Sequence, residues 1–368
     1  MTSRELTGRE RNERVMVDVV VVGGGPGGSV AAKNCAQRGM RTLLLEKKKL
    51  PRHKMCTGLI ISNLAHALIA KEFGTIPEEV LTDPPNLSGI QFHSWYKPNL
   101  TDHPLELPMT NVWRKELDYW MNQRAKEAGA DIWDETLVTD VIQDSDGITL
   151  KTRRGGEHQE IRARFVVGAD GSPSITRTRL FPGLNVHYHG ISVECYPGAL
   201  DLDRRYWHIF DRVPTRAERE DWFDVIQKGN CFLIEANGLV RPAKEVMSLA
   251  KQTLAEKWGF DPESEPLWTD GTVGAVLHEE LLSGEFVPAK GDVLLVGDAA
   301  GLIPEGDEGI HLALKSGLLA SSAIIEAADT SREAASIYLT AMLPVIDVAK
   351  TIATNATTNR QKLLDKLI

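Results

Sequence analysis

Short runs of consecutive apolar residues recur along the chain, and each has the length of one buried β-strand. The first two, residues 17–22 and 41–46, flank a helical stretch that follows Gly28 and stops at Gly39. A later run, residues 165–170, has the same character. Strands buried on both faces belong to parallel sheets, so the opening pattern predicts a right-handed β-α-β unit in an α/β fold.

The rest of the chain alternates between helical and strand periodicity. Helices are predicted at 60–71, 113–128, 243–258, 309–327 and 332–350. Extended segments are predicted at 87–96, 135–143, 148–153, 159–163, 187–194, 206–210, 231–236 and 292–298. Between residues 180 and 280 the strand-length pieces mix aromatic and charged residues, which indicates a second lobe with a largely antiparallel sheet.

A glycine-rich turn joins the first strand to the first helix. Its glycines at 23, 25 and 28 form a GxGxxG pattern, and Glu46 ends the next strand. Gly23 allows the tight turn, Gly25 lets the backbone approach a pyrophosphate, and Gly28 lets helix and strand pack closely. The helix N-terminus offers free N–H groups to phosphates, and the Glu46 carboxylate can accept hydrogen bonds from ribose hydroxyls. The pattern predicts a Rossmann-like dinucleotide site but does not separate FAD from NAD.

Composition narrows the class of protein. The 368 residues are 42% hydrophobic and 25% charged, which is typical of a globular chain of two lobes. A formal net charge of −9 argues against nucleic-acid binding, because phosphate backbones require a basic face. We expect no integral membrane segment, since no apolar run approaches the roughly 20 residues that span a bilayer. Cys35, Cys56, Cys195 and Cys231 lack metal-ligand spacing, so we expect no metal site and a cytoplasmic protein.

Two later segments resemble flavoproteins of the p-hydroxybenzoate hydroxylase type. Residues 168–177 match their GADGxxSxxR pattern, and residues 297–301 match their GDAAG pattern. The resemblance implies FAD, with Asp298 on the ribityl chain. It also implies that a helix starting at Gly309 and Ile310 points its N-terminus at the flavin pyrimidine edge, where its dipole would stabilise negative charge on the reduced flavin.

One segment points to a narrower family. Residues 51–58 resemble the P-x-x-K-x-C-G-G stretch of geranylgeranyl reductases, whose flavin reduces isolated C=C bonds. Lys54, Cys56 and Gly58 match, whereas Thr57 replaces the first glycine of the pair. The resemblance implies that Cys56 faces the flavin and the substrate cavity. Cys56 is therefore the one catalytic candidate, with a small buried filler as the alternative reading.

Two departures bear on the substrate. Asp307 stands where the family pattern has a glycine, and with Glu305 and Glu308 it would disfavour an anionic reduced flavin unless the acids turn away or one is protonated. The aromatic Y-x-W-x-F-P run of prenyl reductases is not recognisable, and its nearest counterparts are residues 206–211 and 221–223. The sequence therefore carries the motifs for FAD but lacks the signature of a long-chain isoprenoid substrate.

The predicted cofactor-binding residues come from both the glycine-rich turn and the family resemblance. They are Gly23, Gly25, Pro26, Gly27, Gly28, Glu46, Lys47, Thr57, Gly58, Arg114, Val138, Asp298, Gly309 and Ile310. Arg114 matches the arginine that the hydroxylases place near the FAD phosphates. No second GxGxxG exists, so the electron donor is expected to be transiently bound NAD(P)H, a donor protein or free reduced flavin.

The leading functional hypothesis is hydride transfer at flavin N5 to or from a C–C or C–N bond of an apolar or aromatic small molecule. The alternative is an FAD-dependent aromatic monooxygenase, in which reduced flavin takes up oxygen at C4a as a hydroperoxide. A flavin-dependent halogenase is a lesser alternative, because the W-x-W-x-I-P stretch of tryptophan halogenases is missing. No single histidine carries a catalytic assignment.

The motifs divide the chain into two interleaved lobes. The FAD-binding lobe is predicted to comprise residues 15–75, 110–178 and 285–328. The substrate-capping lobe is predicted to comprise residues 76–109 and 179–284. Residues 1–14 are expected to form a flexible tail, and residues 329–368 are expected to contain C-terminal helices.

Overall fold

A computed structural model describes residues 15–93, 104–210, 221–302, 309–330, 332–354 and 366. The strands are β1 Val15–Val22, β2 Thr42–Leu45, β3 Leu59–Ile60, β4 Leu81–His93, β5 Leu105–Val112, β6 Asp131–Trp133, β7 Thr136–Asp144, β8 Gly147–Arg154, β9 Glu157–Gly168, β10 His187–Pro197, β11 Tyr206–Phe210, β12 Trp222–Lys228, β13 Cys231–Gly238, β14 Trp268–Val276, β15 Ala289–Lys290 and β16 Val293–Leu295. The helices are α1 Pro26–Gln37, α2 Asn63–Glu72, α3 Arg114–Glu127, α4 Ile175–Leu180, α5 Ala243–Lys257, α6 His278–Ser283, α7 Ile310–Asp329 and α8 Ala334–Thr354. The predicted tail at 1–14 and the acids at 305, 307 and 308 lie outside the described residues.

The first sheet is the parallel core of the predicted dinucleotide fold. Its strands run in the order β15-β16-β9-β1-β2-β6, and β7 and β8 extend it from β9 as an antiparallel meander. β1 pairs in parallel with both β2 and β9. Residues 19–22 of β1 and the leucines of β2 are buried in one core with residues of α1, α7 and the β7–β8 meander. The carboxyl ends of these strands therefore meet at one edge, where ligands of such folds bind.

The second sheet has eight strands and is antiparallel except at one strand pair. Its order is β14-β10-β13-β12-β11-β4-β5-β3, and only the β11–β4 pair is parallel. One face packs against α5 through an aromatic-rich core that includes Phe210, Phe223 and Phe232. Since side chains alternate along a strand, the intervening residues point to the other face, toward the first sheet. The observed α/β architecture confirms the predicted fold class.

Helix α7 bears on the expectation that the chain has no integral membrane segment. Within the described residues it is the helix that has the length and mean hydropathy, 20 residues and 1.2, to cross a membrane by composition alone. In the fold, 67% of its apolar window is buried. It packs against α1, where the Gly317 backbone lies too close to the Gly27 carbonyl to leave room for a Cβ atom. Small residues thus make α7 a core helix that resembles a spanning segment in composition.

Several element boundaries were predicted wrongly. The pieces 159–163 and 165–170 are one strand, β9, because β1 is long enough to pair with it from residue 161 to residue 168. The helix expected from residue 60 begins at Asn63, since Leu59 and Ile60 pair with β5 and Ser62 caps the helix. The short helices α4 and α6 were not anticipated. β3 also joins the second sheet, although it lies within a segment assigned to the FAD lobe.

Candidate active site

The N-terminus of α1 opens on a large cavity between the two sheets. Gly25 is its N-cap residue, and no side chain caps the free N–H groups of the first turn. A Cβ atom at Gly25 would meet only the Arg52 guanidinium, so the backbone there is open to a ligand. Gly28 differs, because a Cβ atom there would collide with the Gly23 carbonyl. Gly28 therefore serves helix–strand packing behind the cavity wall.

Glu46 lies beside this turn at the end of β2. One carboxylate oxygen accepts hydrogen bonds from the Gly24 N–H at 3.2 Å and from Arg52 Nε at 2.8 Å. The other oxygen accepts a hydrogen bond from the Lys48 N–H at 3.0 Å. The side chain is only 4% exposed, yet it lines the cavity. Its position at the strand end, next to the glycine-rich turn, is the one expected for a ribose-binding carboxylate.

Behind Glu46 is a buried network of charges that the sequence did not reveal. Asp118 accepts hydrogen bonds from Arg114 at 2.9 and 3.1 Å, and Arg52 Nη1 lies 3.1 Å from it. Burial alone would raise the pKa of Asp118, but the Arg114 and Arg52 charges hold it below its usual value. Burial would likewise lower the pKa of Arg114, but Asp118 holds it above its usual value. Arg52 therefore links Glu46 to Asp118, and this chain of ion pairs fixes the floor of the site.

Helix α3 supplies a second contact to the glycine-rich turn. The Asn122 side-chain amide donates a hydrogen bond to the Gly24 carbonyl at 2.8 Å and is fully buried. Arg114, Asp118 and Asn122 follow one another at four-residue spacing on α3, so all three share one face of the helix, and Arg114 lines the cavity. That spacing, together with Arg52 six residues after Glu46, was the signal available in the sequence.

The two later motifs meet at the same carboxyl edge of the first sheet, where β9 and β16 end beside the glycine-rich turn. The Asp170 carboxylate accepts hydrogen bonds from Ser174 and Thr176, which fold its loop into the start of α4. Arg177 then donates to the Ala299 and Asp298 carbonyls at 3.0 and 3.4 Å. Segments more than 120 residues apart in sequence are thereby joined. Their junction places Asp298 on the cavity wall.

The cavity has a volume of about 1390 Å³ and runs from the glycine-rich turn to the face of the second sheet opposite α5. Among the predicted cofactor residues, the lining includes Gly23, Gly25, Pro26, Gly27, Glu46, Lys47, Thr57, Arg114, Val138, Asp298, Gly309 and Ile310. Gly28 and Gly58 lie behind this wall. The remainder of the lining is mostly apolar and includes Leu59, Ile61, Ile90, Phe92, Leu105, Leu107, Ile191, Trp207, Ile209 and Val273.

Acidic side chains of the second sheet interrupt the apolar half of the cavity, and two of them are neighbours across strands. Asp224 on β12 and Glu235 on β13 are directly paired across the strands, and both line the cavity. Their side chains therefore share the face that is turned away from α5. No sequence motif marked them, because strand alternation alone brings them to this face.

Cys56 lines the cavity where its two halves meet. Its thiol accepts a hydrogen bond from the Gly58 N–H at 3.4 Å and lies within hydrogen-bonding reach of Arg114. Cys56 is partly exposed, whereas Cys35, Cys195 and Cys231 are buried, and all four are free thiols. The structure thus brings the one catalytic candidate from the sequence together with the predicted cofactor residues.

The histidines do not converge on one place. His53 Nε2 lies 3.2 Å from Asp270 at the cavity wall, and burial lowers the pKa of His53 although the Asp270 charge opposes this. His93 and His208 contact each other at 3.0 Å, and burial together with His208 lowers the pKa of His93 to about 4. Among the described residues, no three histidine, cysteine or acidic side chains cluster as a metal site would require.

These features fit FAD, because an uncapped helix N-terminus, a buried acid at the end of the second strand and a long cavity stand together. The fold and the site define an FAD-dependent oxidoreductase. The chain belongs to the family described as FAD binding domain, whose model FAD_binding_3 matches residues 16–204, just over half of the sequence. FAD as the cofactor, expected from the sequence, is confirmed.

Two relatives show what the chain is similar to, and one of them is named as a reductase. It is 35% identical over 178 residues to digeranylgeranylglycerophospholipid reductase 1 of Methanothermobacter thermautotrophicus, an alignment that covers 46% of this chain and 42% of the reductase. It is 27% identical over 325 residues to a protein of Methanosarcina barkeri, covering 83% of this chain and 74% of that one. The resemblance to geranylgeranyl reductases is confirmed, and the alignment to the named reductase spans less than half of that enzyme.

Solved structures share the whole fold at low identity. A geranylgeranyl bacteriochlorophyll reductase-like protein from Thermoplasma acidophilum matches with a TM-score of 0.73 and 20% identity, covering 96% of this chain and 92% of that one. A flavin-dependent brominase Bmp2 triple mutant matches at 0.67 and 16% identity, covering 95% and 94%. Aklavinone-11 hydroxylase, in complex with FAD and aklavinone, matches at 0.66 and 17% identity, covering 94% and 72%. These likenesses show a fold that reductases, halogenases and hydroxylases share.

Proposed function

We propose that this chain transfers a hydride to or from a C–C or C–N bond of an apolar or aromatic small molecule. The observation that carries the proposal is the continuity of the cavity. One end is walled by the glycine-rich turn and Glu46, the other by the apolar face of the second sheet, and Cys56 lies between them. A cofactor held at one end would therefore present its reactive part to a substrate held at the other.

The proposed cofactor contacts follow from the geometry of the first half. The free N–H groups at the start of α1 would bind the pyrophosphate, and Glu46 would accept hydrogen bonds from the adenosine ribose. Asp298 would bind the ribityl chain, and the start of α7 at Ile310 would face the pyrimidine edge. Bound FAD would supply hydride transfer at N5.

The second half of the cavity would orient the substrate and exclude water. Its wall carries branched and aromatic side chains such as Ile90, Ile209 and Trp207, which favour an apolar ligand. Asp224 and Glu235 are among the polar groups on this wall and would orient one end of that ligand. Cys56 would contact the reacting region without a covalent role being required of it.

The electron donor and the cellular setting are part of the same proposal. NAD(P)H bound transiently against the flavin would suit a chain whose sequence has one GxGxxG pattern, and a donor protein is the alternative. The four free thiols support a cytoplasmic, reducing environment.

The proposal is tested by reducing the FAD-loaded protein without oxygen and mixing it with apolar alkenes, apolar imines or aromatic compounds. Reoxidation that depends on an alkene or imine, with a product two hydrogens heavier by mass spectrometry, supports hydride transfer. Oxygen-dependent formation of a hydroxylated product would instead identify a monooxygenase, and a halide-dependent product a halogenase. A purified protein that retains no FAD would contradict every version of the proposal.

A further inference from the structure

Lys228 is a buried cation that the proposed reaction does not yet use. It ends β12, where its side chain is 1% exposed. Its ammonium donates hydrogen bonds to Asn111 Oδ1 at 2.6 Å, to the Val112 carbonyl at 2.7 Å and to the Gly58 carbonyl at 3.4 Å. Lys228 therefore joins the substrate-side sheet to the segment that carries Cys56.

Within the part of the chain that the structure describes, no carboxylate forms an ion pair with Lys228. The titratable groups that face it are the thiols of Cys56 and Cys231, and the Trp113 ring lies 5.3 Å from its nitrogen. Burial lowers the pKa of Lys228 to about 7, which the two thiols only partly oppose. An ammonium in such a place disfavours folding below pH 7, and this penalty disappears as the pH rises toward the ordinary lysine value. Stability is therefore a poor reason for a lysine here.

The Gly58 carbonyl belongs to a tight turn at the cavity wall. Gly58 has a φ of +71°, and a Cβ atom there would collide with the Val112 carbonyl, so the turn fits closely against β5. The Val112 N–H also donates to the Gly58 carbonyl at 2.9 Å. The Gly58 N–H in turn donates to the Cys56 thiol at 3.4 Å. A shift of Gly58 would thus displace Cys56 and Thr57, which line the cavity.

We propose that Lys228 is a positioning residue for the flavin site, whose protonated side chain holds the Cys56–Gly58 turn in place and releases it on losing its proton. The inference rests on the proposed function, since the turn is taken to border bound FAD. Arg114 hydrogen-bonds to the Cys56 thiol, so two buried cations, Arg114 and Lys228, contact this turn. The proton released by Lys228 passes to solvent, and the neutral amine then has two N–H donors for three acceptors, so the longest hydrogen bond, to the Gly58 carbonyl, is the one expected to be lost.

The first test is a pH titration of the visible absorbance spectrum of the FAD-bound protein. The wild type is expected to show an inflection near pH 7, because the turn changes position against the isoalloxazine there. Lys228→Met should abolish the inflection, and Lys228→Arg should keep the low-pH spectrum throughout, because arginine holds its proton. Lys290→Met, an exposed lysine on β15, is the control and should behave as wild type. A flat wild-type titration, or an inflection that survives in Lys228→Met, would overturn the proposal.

A second variant keeps the test decisive if Lys228→Met does not fold. Asn111→Asp places a carboxylate beside the ammonium with little change of shape. It should move the inflection upward by roughly one pH unit or more, since an opposite charge favours protonated lysine. An inflection that stays at the wild-type pH in Asn111→Asp would assign the titration to another group and reject the role of Lys228.

A measurement without FAD separates this inference from the proposed function. Hydrogen exchange of FAD-free protein, corrected for intrinsic rates, should show residues 54–60 losing protection above pH 7 in wild type. In Lys228→Arg these residues should remain protected at both pH values. If the protein binds no FAD but this pattern appears, the proposed function fails and the positioning role of Lys228 stands. If FAD binds and the pattern is missing, only the positioning role of Lys228 fails.

Discussion

The two halves of the cavity are built on different principles. The cofactor half is held by charges and hydrogen bonds that converge from α1, β2 and α3, with Arg52 bridging Glu46 and Asp118. The proposed substrate half is one face of a β-sheet, where apolar side chains from β4, β10 and β11 form most of the wall. The first arrangement fits one ligand and resists change. The second sets only the size and polarity of its contents, so the same fold can host different substrates.

The largest expected effect is on the charge network of the cofactor half. Asp118→Ala leaves the Arg52 and Arg114 guanidinium groups buried without their shared carboxylate, so the free energy of unfolding should fall by about 3–5 kcal/mol. Urea unfolding of the FAD-free protein measures this. Glu127→Ala, which removes an exposed ion pair with Arg124, is the control and should change stability by less than about 1 kcal/mol. Equal losses in the two variants would show that the network is not needed for folding.

The next effect concerns the proposed contact between Glu46 and the adenosine ribose of FAD. Glu46→Gln keeps the size of the side chain but loses its charge, so the dissociation constant for FAD should rise roughly 10-fold or more. Fluorescence titration of the FAD-free protein gives this value. The matched control is Glu72→Gln, a buried acid paired with Lys33 away from the cavity, which should leave FAD binding unchanged. Similar affinities for FAD in wild type and Glu46→Gln would remove Glu46 from the binding site.

The substrate half should respond in a different observable. Ile209→Ala enlarges the apolar wall, so KM for an apolar substrate should rise by roughly 5-fold to 50-fold while FAD affinity stays constant. Val225→Ala, on the β12 face that packs against α5, is the matched control. It should lower stability by about 1–3 kcal/mol and leave KM unchanged. A change of KM in Val225→Ala alone would reverse our assignment of the two faces of the sheet.

The smallest effect is expected at the boundary between the halves. Cys56→Ala should change kcat by roughly threefold and leave the FAD content at the wild-type level, because the thiol contacts the reacting region without forming a bond there. Steady-state kinetics and absorbance of the purified protein measure the two quantities. Cys35→Ala, within α1 and away from the cavity, should alter neither. Kinetics that match wild type would make Cys56 a structural residue.

The sequence was informative where a ligand imposes residue types at fixed spacing. The glycine-rich turn, Glu46 and the segments around Asp170 and Asp298 were all recognisable for that reason, and the α/β fold was predicted from the apolar runs of strand length. Arg52 and Asp118 were missed, because their role depends on a helix and a loop meeting in space. Asp224 and Glu235 were missed because strands β12 and β13 had to be aligned before the two acids could be seen as neighbours.

The two faces of the second sheet have a consequence for how this protein can change. Along β12 and β13, alternate residues pack on α5, and Trp222, Asp224 and Glu235 on the opposite face line the cavity. Substitutions at the cavity-lining positions therefore alter what the cavity accepts while sparing the aromatic core that keeps the sheet folded. Natural variants, or a directed-evolution library confined to these positions, could therefore accept new substrates without first needing stabilising substitutions elsewhere in the protein.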